Sequence, residues 1–326
     1  MAVSQKQIAE KLGVSIALIS RVLSGKAAEI GIATNTINRV LKTAEEMGYV
    51  PSAAALSLKG KSTRTIGVVV YDFKDPFFGA IIEQLQIQAH EHNYSLILAG
   101  FLNRTPDEQD LQSLHKHALD GLIVIGTDLK AEWLNPFQNM PVARIGHGGP
   151  DEQSVQVTAD EDQAARLLID HIIESGRKCP LYISANLPAH RIRQQAMKRA
   201  AADDHINLLT EQFPGGDAFE AGRQLAGRHR NADALICATD RVAMGALHAL
   251  HAAGLSVPDQ ITVTGFDDIA AAEQFIPSIT TIRQPIEQII EQAFSAIINQ
   301  STPQKIVLPG KLIVRQTTGR QNEPHR

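Results

Sequence analysis

Length and composition restrict the classes of protein to which this chain can belong. Its 326 residues are 44% hydrophobic and 20% charged, which is typical of a globular protein with two or three domains. No run of about 18 apolar residues occurs and the N-terminus has no apolar signal stretch, so we expect a cytoplasmic protein that is neither membrane-spanning nor exported. Cys179 and Cys237 fit neither a disulfide framework nor a metal-binding pair.

The net charge of −4 averages two unlike regions. Residues 1–64 contain nine Lys and Arg against four Glu, a local charge of +5, whereas the rest of the chain carries −9. A basic segment attached to a larger acidic body predicts that only the segment binds a polyanion. Charge alone leaves DNA, RNA and anionic lipid as candidates.

Three helices are predicted in the first fifty residues. The first begins at a capping box formed by Ser4 and Gln7 and ends at Gly13. Ser15 caps the second helix, and the third covers about residues 34–47. The predicted inward positions of the three helices are Ile8, Ala9, Leu12, Leu18 or Ile19, Val22, Leu23, Ile37, Val40, Leu41 and Ala44.

The spacing of three residues in the first two helices is typical of a helix-turn-helix. Ala9 is small enough for the helices to approach, Gly13 tolerates the positive φ of the turn, and Ile19 fixes the second helix against the first. The alternative is an amphipathic helical hairpin that contains these three residues by chance.

The second helix is expected to enter the DNA major groove with its N-terminal end. Ser15 caps it, and its outward residues are Ile16, Ala17, Ser20 and Arg21. Arg21 can hydrogen-bond guanine or phosphate, whereas Ile16 and Ala17 can touch only apolar edges such as thymine methyl groups. Two alternatives stay open: Arg21 is a solvated surface residue, or Ile16 belongs to the core.

From residue 66 onward, apolar runs alternate with helical patterns. The runs are continuous, which is typical of buried parallel strands in βαβ order, and their two series predict two doubly wound lobes with a ligand cleft at the strand ends. The predicted strands are 66–71, 95–100, 121–126, 141–146, 181–184, 234–239 and 261–266. The predicted helices are 78–92, 163–175, 189–203 and 241–254, and the chain is expected to cross between the lobes near residues 159, 284 and 313.

Two segments, VSQKQIAEKLGVSIALISRVLSG and RVLKTAEEMGYVPSAAALSLKGKSTRTIGVVV, resemble the N-terminal part of the lactose-repressor/galactose-repressor family, and the resemblance continues to about residue 320. It implies a helix-turn-helix head over residues 1–59 with a hinge helix at 51–59, a linker at 60–64, and a periplasmic-binding-protein-like core at 65–326. The core is expected to bind the effector and to form the dimer. The implied function is that of a bacterial transcription regulator, a repressor, whose DNA binding is controlled by a sugar or sugar derivative.

The hinge segment carries one further candidate for DNA contact. Leu58 stands where the family has the leucine that wedges between base pairs in the minor groove. A plain linker with Leu58 packed on the core is the alternative. The chain departs from the family at Leu56, where a polar residue or Arg is common, in a longer link at residues 25–34, and at His147, near which the family often has an acidic residue.

Polar and aromatic side chains follow the predicted strands and line the expected cleft. Carboxylates and Arg can hydrogen-bond the hydroxyls of a polyhydroxylated ligand, and rings can cover its C–H faces. The resemblance places Phe77 and Phe78 at apolar ligand contacts, Arg193 at the ligand-binding arginine and Asp267 at a hydroxyl-binding aspartate. The full set of candidate effector contacts is Asp72, Phe77, Phe78, Arg193, Asp240, Asp267 and Gln284. Helix-capping roles for Asp240 and Asp267, and core positions for both phenylalanines, are the alternatives.

Two rival functions are disfavoured by the sequence. A solute-binding protein of transport would need a signal peptide and no DNA-binding head, and an enzyme would need a catalytic set, which we do not find. We therefore predict no catalytic residue, no metal and no cofactor. The expected partners are a pseudo-palindromic DNA operator, the effector and a second copy of the chain, since two half-sites require two heads.

Overall fold

A computed structural model describes residues 3–27, 30–50, 56, 60–100, 108–126, 131–137, 139–147, 154–228 and 231–319. The chain divides into two compact units, Met1–Thr63 and Arg64–Arg326. The predicted hinge helix at 51–59 lies outside the described residues except for residue 56, so the predicted domain boundaries there stay predictions.

The first unit contains the three predicted helices, α1 (Gln5–Leu12), α2 (Ile16–Leu23) and α3 (Thr34–Glu46). The capping box forms as predicted: Gln7 N donates to Ser4 Oγ at 3.3 Å, and Ser4 N donates to Gln7 Oε1 at 2.8 Å. Gly13 ends α1 at φ 66°, a conformation that favours glycine. Ser15 Oγ accepts a hydrogen bond from Leu18 N and so caps α2.

A small apolar core holds these three helices together. Ile8 and Ile19 are fully buried and Ala9 is nearly so, which agrees with the predicted contact between α1 and α2. Ala27 adds a buried methyl group from the link before α3. The prediction for Leu41 is wrong, because its side chain is 47% exposed. The buried residues of α3 are Val40, Thr43 and Ala44, and Leu41 lies beside them on the helix surface.

The second unit begins with a six-stranded parallel sheet in the order β11-β5-β4-β3-β1-β2. Its strands are β1 (Thr65–Val70), β2 (Ser95–Gly100), β3 (Gly121–Ile125), β4 (Val142–Ile145), β5 (Val155–Ala159) and β11 (Gln304–Leu308). Its helices are α4 (Pro76–Glu91), α5 (Glu108–His115) and α11 (Ile286–Ile298), with a 3-10 helix at Ala131–Phe137. We call this layer of sheet and helices the N-lobe.

The C-lobe contains a four-stranded parallel sheet in the order β7-β6-β8-β9 and an antiparallel pair, β10 with β12. The strands are β6 (Pro180–Ala185), β7 (Leu209–Phe213), β8 (Ala234–Cys237), β9 (Thr262–Thr264), β10 (Thr281–Arg283) and β12 (Lys311–Ile313). The helices are α6 (Glu161–Glu174), α7 (Pro188–Asp203), α8 (Ala218–Leu225), α9 (Asp240–Ala252) and α10 (Ala270–Gln274). These two lobes confirm the predicted fold class.

The chain passes between the lobes three times. Two crossings follow β5 and β10, near residues 160 and 284, as predicted. The third joins β11 to β12 at residues 309 and 310, because β12 already pairs with β10 in the C-lobe; the predicted position near 313 is slightly too late. Within the described part of the chain, no helix is both long enough and apolar enough to cross a bilayer.

Candidate functional site

A cleft between the two lobes is the candidate functional site. Its cavity has a volume of about 130 Å³. The N-lobe contributes Tyr71, Asp72, Asp75, Phe77, Phe78 and His147 to the lining. The C-lobe contributes Glu161, His190, Arg193, Thr239, Arg241 and Asp267, and Gln284 lies at the second crossing.

The N-lobe wall is built on the first turn of α4. Asp75 caps this helix, its Oδ1 accepting a hydrogen bond from Phe77 N at 3.0 Å. The rings of Phe77 and Phe78 are 5.7 Å apart and inclined at 62°, and both line the cleft half-buried. Gly126 is needed beside them, because a Cβ there would lie 2.5 Å from the Phe78 ring.

Arg193 lies in α7 and is 4% exposed. Its Nε and Nη2 donate to the two carboxylate oxygens of Glu161 at 2.9 and 3.0 Å, and its Nη1 donates to the carbonyl oxygen of Ala238. The guanidinium also stacks on Phe266, with its Cζ atom 3.3 Å from the ring centroid. The carboxylate of Glu161 and the ring of Phe266 thus hold the arginine in one orientation at the wall of the cleft.

Glu161 is a site residue that the sequence reasoning missed, since an acidic residue in the first turn of a helix reads as a favourable charge near the helix dipole. Its Oε1 lies 3.3 Å from Nε2 of His147, which belongs to the other lobe. Burial raises the pKa of Glu161, but the charge of Arg193 and the hydrogen bonds from His147 and Arg193 outweigh it and lower the pKa to about 2. Glu161 is therefore ionised at neutral pH.

Asp267 follows β9 in a backbone conformation that non-glycine residues seldom adopt, with φ 107°, and Asp268 follows at φ 54°. The turn is held by a hydrogen bond from Asp267 N to Ile282 O at 2.9 Å. Gln284 Nε2 donates to Asp267 Oδ1 at 2.7 Å. Burial raises the pKa of Asp267 well above its usual range, and Arg193, 3.8 Å away, acts in the opposite direction.

Asp240 requires a correction, because it does not line the cleft. Its Oδ1 accepts from the Thr281 hydroxyl at 2.6 Å and its Oδ2 accepts from Ile269 N at 2.9 Å. A Cβ at Gly265 would lie 2.1 Å from its Oδ1. Asp240 thus packs behind the cleft wall, where it holds the turn that carries Asp267. The helix cap of α9 is Thr239, whose Oγ1 accepts from Val242 N.

The structure brings the other six predicted contacts to one cavity: Asp72, Phe77, Phe78, Arg193, Asp267 and Gln284. On α2 of the first unit, Ser15, Ile16, Ala17 and Arg21 are exposed and Ser20 is partly buried. Ile16, at 49% exposure, is therefore not a core residue. Leu58 lies outside the described residues.

Comparisons with known proteins decide the family. Residues 5–52 match the model of bacterial regulatory proteins of the lacI family, and residues 169–318 match that of the periplasmic binding protein-like domain. The chain is 32% identical over 303 residues to the HTH-type transcriptional regulator GalR of Salmonella typhimurium LT2, an alignment that covers 88% of this chain and 86% of GalR. The chain belongs to the lacI family.

Solved structures share the fold of this lacI-family protein. A lac repressor dimer bound to operator and the anti-inducer ONPF has a TM-score of 0.83 at 22% identity, covering 98% of this chain and 99% of that one. A complex of the transcriptional regulator CelR with cellobiose has a TM-score of 0.67 at 22% identity, covering 97% and 99%.

Family membership establishes the general function. The chain is a DNA-binding transcription regulator and not an enzyme. Its three N-terminal helices lie within the match to the lacI-family model, and most of its C-lobe lies within the match to the periplasmic binding protein-like domain. The resemblance seen in the sequence is thereby confirmed.

Proposed function

We propose that this lacI-family protein is a cytoplasmic repressor that binds a pseudo-palindromic operator in the nucleoid as a homodimer and releases or engages it in response to a sugar-like effector. One observation carries the proposal. A single chain joins a helix-turn-helix with an exposed recognition face to a cleft in which aromatic rings face buried, hydrogen-bonded charged groups.

On the DNA side, α2 is proposed to lie in the major groove. Arg21 would donate to a guanine edge, and Ile16 and Ala17 would contact thymine methyl groups. Ser15 and Ser20 are proposed to contact DNA beside them. The role of Leu58 as a minor-groove wedge in the hinge is proposed from the family resemblance alone.

On the effector side, the polar and aromatic lining of the cleft suits a small polyhydroxylated ligand. Phe77 and Phe78 would cover its C–H faces. Arg193, Asp267 and Gln284 would bind its hydroxyls from the C-lobe, and Asp72 from the N-lobe. The CelR structure with cellobiose supports a sugar as the ligand class.

The experiment is a thermal-shift screen of the full chain against sugars and nucleosides, followed by operator binding with and without each hit. We expect hits among the sugars, and we expect Asp267→Ala to abolish their stabilising effect. The matched control is Glu273→Gln on the exposed face of α10, which should leave every hit unchanged. If nucleosides but no sugars stabilise the chain, the sugar class is wrong; if a sugar hit stabilises Asp267→Ala equally, the cleft is not its site.

A further inference from the structure

The guanidinium of Arg193 is already bound by a carboxylate of the protein. Glu161 accepts two of its N–H groups in a bidentate pair, and the Ala238 carbonyl oxygen accepts a third. Both partners of the pair are more than nine-tenths buried. An arginine that is paired in this way presents little uncompensated positive charge to a ligand.

The rest of the described cleft lining adds one guanidinium group, that of Arg241, and several carboxyl groups. Four carboxylates line it, those of Asp72, Asp75, Glu161 and Asp267, against the two guanidinium groups of Arg193 and Arg241. The buried His190 ring adds no charge at neutral pH, because burial and the nearby Arg193 lower its pKa to about 3. Among the described residues, carboxyl groups therefore outnumber guanidinium groups in the lining.

Two of these carboxyl groups are buried in surroundings that solvate a negative charge poorly. Burial raises the pKa of Asp75 and of Asp267, which means that each carboxylate is poorly solvated where it stands. A ligand hydroxyl or ammonium group would donate to them and stabilise their charge. A phosphate or carboxylate group in the same cavity would add like charge and would destabilise the complex.

We propose that Glu161 is a specificity-determining residue: by occupying Arg193, it makes the cleft select effectors that carry no anionic group and reject phosphorylated and carboxylated sugars. This inference rests on the proposed function, since it concerns the effector of the same cleft. Glu161 acts through Arg193 and is a positioning residue for the ligand rather than a ligand contact. His147, on the opposite lobe, helps to hold it in place.

A neighbouring residue provides a matched control. Asp162 stands next to Glu161 at the start of α6 and also pairs with an arginine of α7, Arg199. Both partners of this second pair are more than half exposed. The substitutions Glu161→Gln and Asp162→Asn therefore remove the same charge from the same turn and the same pair of helices, but only the first one releases an arginine inside the cleft.

The first test uses inorganic phosphate as the probe, so it does not depend on knowing the effector. Calorimetry should show phosphate binding to the wild-type cleft that is weak, at or below the detection limit, and this limit is the reference value. Glu161→Gln should bind phosphate at least about tenfold more tightly than wild type, the effect expected of one charge-assisted contact. Asp162→Asn should behave as wild type. The double variant Glu161→Gln with Arg193→Gln should lose the gain, which would locate the phosphate at Arg193.

A second test uses the unmodified chain and covers the case in which Glu161→Gln does not fold. Thermal shift is measured with D-glucose, D-galactose and D-ribose and with the amino, uronic acid and phosphate derivatives of each sugar. Stabilisation confined to neutral and amino sugars supports the proposal. Stabilisation by an acidic sugar overturns it and leaves the proposed function intact. If no sugar of any class stabilises the chain, the proposed function fails and this inference fails with it. If Glu161→Gln folds but does not bind phosphate, the proposed role of Glu161 is wrong and the proposed function is unaffected.

Discussion

The proposed recognition helix α2 and the C-lobe wall of the cleft differ in where their candidate functional side chains lie. On α2, the candidate functional side chains are exposed and the helix is held by its own cap and by Ile19 and Val22 on its other face. In the C-lobe wall, Arg193, Glu161 and Asp267 are buried and hold one another. Function and stability are therefore separable on α2, whereas one substitution in the wall should change both.

The largest expected effect is the loss of stability on replacing Arg193. Arg193→Ala leaves Glu161 and Asp267 buried without their counter-charge, which should lower the free energy of unfolding by about 3–5 kcal/mol. Urea unfolding of the full chain measures this change. Arg199→Ala, which breaks the exposed pair with Asp162, should cost no more than about 1 kcal/mol. Equal losses for the two variants would contradict the comparison.

The next effect concerns the pH dependence that Asp240 imposes on stability. Burial raises its pKa to about 7 in the folded chain, from 3.8. A raised pKa stabilises the fold fully below pH 3.8, and this contribution is lost as pH rises through 7. Between about pH 4 and pH 7, the wild-type chain should therefore lose no more than roughly 4 kcal/mol of its free energy of unfolding. Asp240→Asn should remove this loss. Urea midpoints across this range measure it, and parallel pH profiles for variant and wild type would exclude the buried acid as the cause.

On α2 the expected effect lies in DNA binding. Arg21→Ala should weaken binding to the operator by about 1–3 kcal/mol if Arg21 contacts a base edge, with the urea midpoint unchanged. Affinities for operator and for random DNA are compared at one salt concentration. Equal losses on both DNAs would make Arg21 a phosphate contact, and no loss on either would remove it from the interface.

The smallest expected effect comes from comparing an exposed residue with a buried residue of α2. Ile16 is 49% exposed and Ile19 is fully buried. Ile16→Ala should change stability by no more than about 0.5 kcal/mol while reducing operator affinity, whereas Ile19→Ala should cost about 2–5 kcal/mol of stability. Thermal unfolding of both variants measures the difference. A comparable loss for Ile16→Ala would mean that the residue packs in the core.

The head could be predicted from the sequence because its determinants are local. Ser4 with Gln7, Gly13 and Ser15 act within one helical turn of their own positions, where spacing rules apply directly. Leu41 was placed wrongly because helical periodicity identifies a broad apolar face but not how much of that face a small core covers.

In the core, the sequence was sufficient to predict the two lobes, the continuous apolar strands and most of the cleft residues. Three strands of the two parallel sheets, β5, β7 and β11, were missed. Strands β7 and β11 are more polar and partly exposed, so neither the continuous nor the alternating pattern marks them. Strand β5 is buried, but Gln156 and Thr158 interrupt its short apolar run.

For a different reason, Glu161 was missed and Asp240 was assigned to the cleft lining incorrectly. Their partners, Arg193 and Thr281, lie 32 and 41 residues away along the chain, and only the folded chain reveals such pairs.

Control of the head by the cleft is tested most directly by thermodynamic reciprocity. Operator affinity of the full chain is measured with and without a saturating sugar from the screen, and calorimetry measures the affinity of that sugar with and without operator. The two ratios should be equal and lie in the range of about 5–150-fold. Operator affinity that stays the same while calorimetry shows the cleft saturated would contradict effector control of this protein.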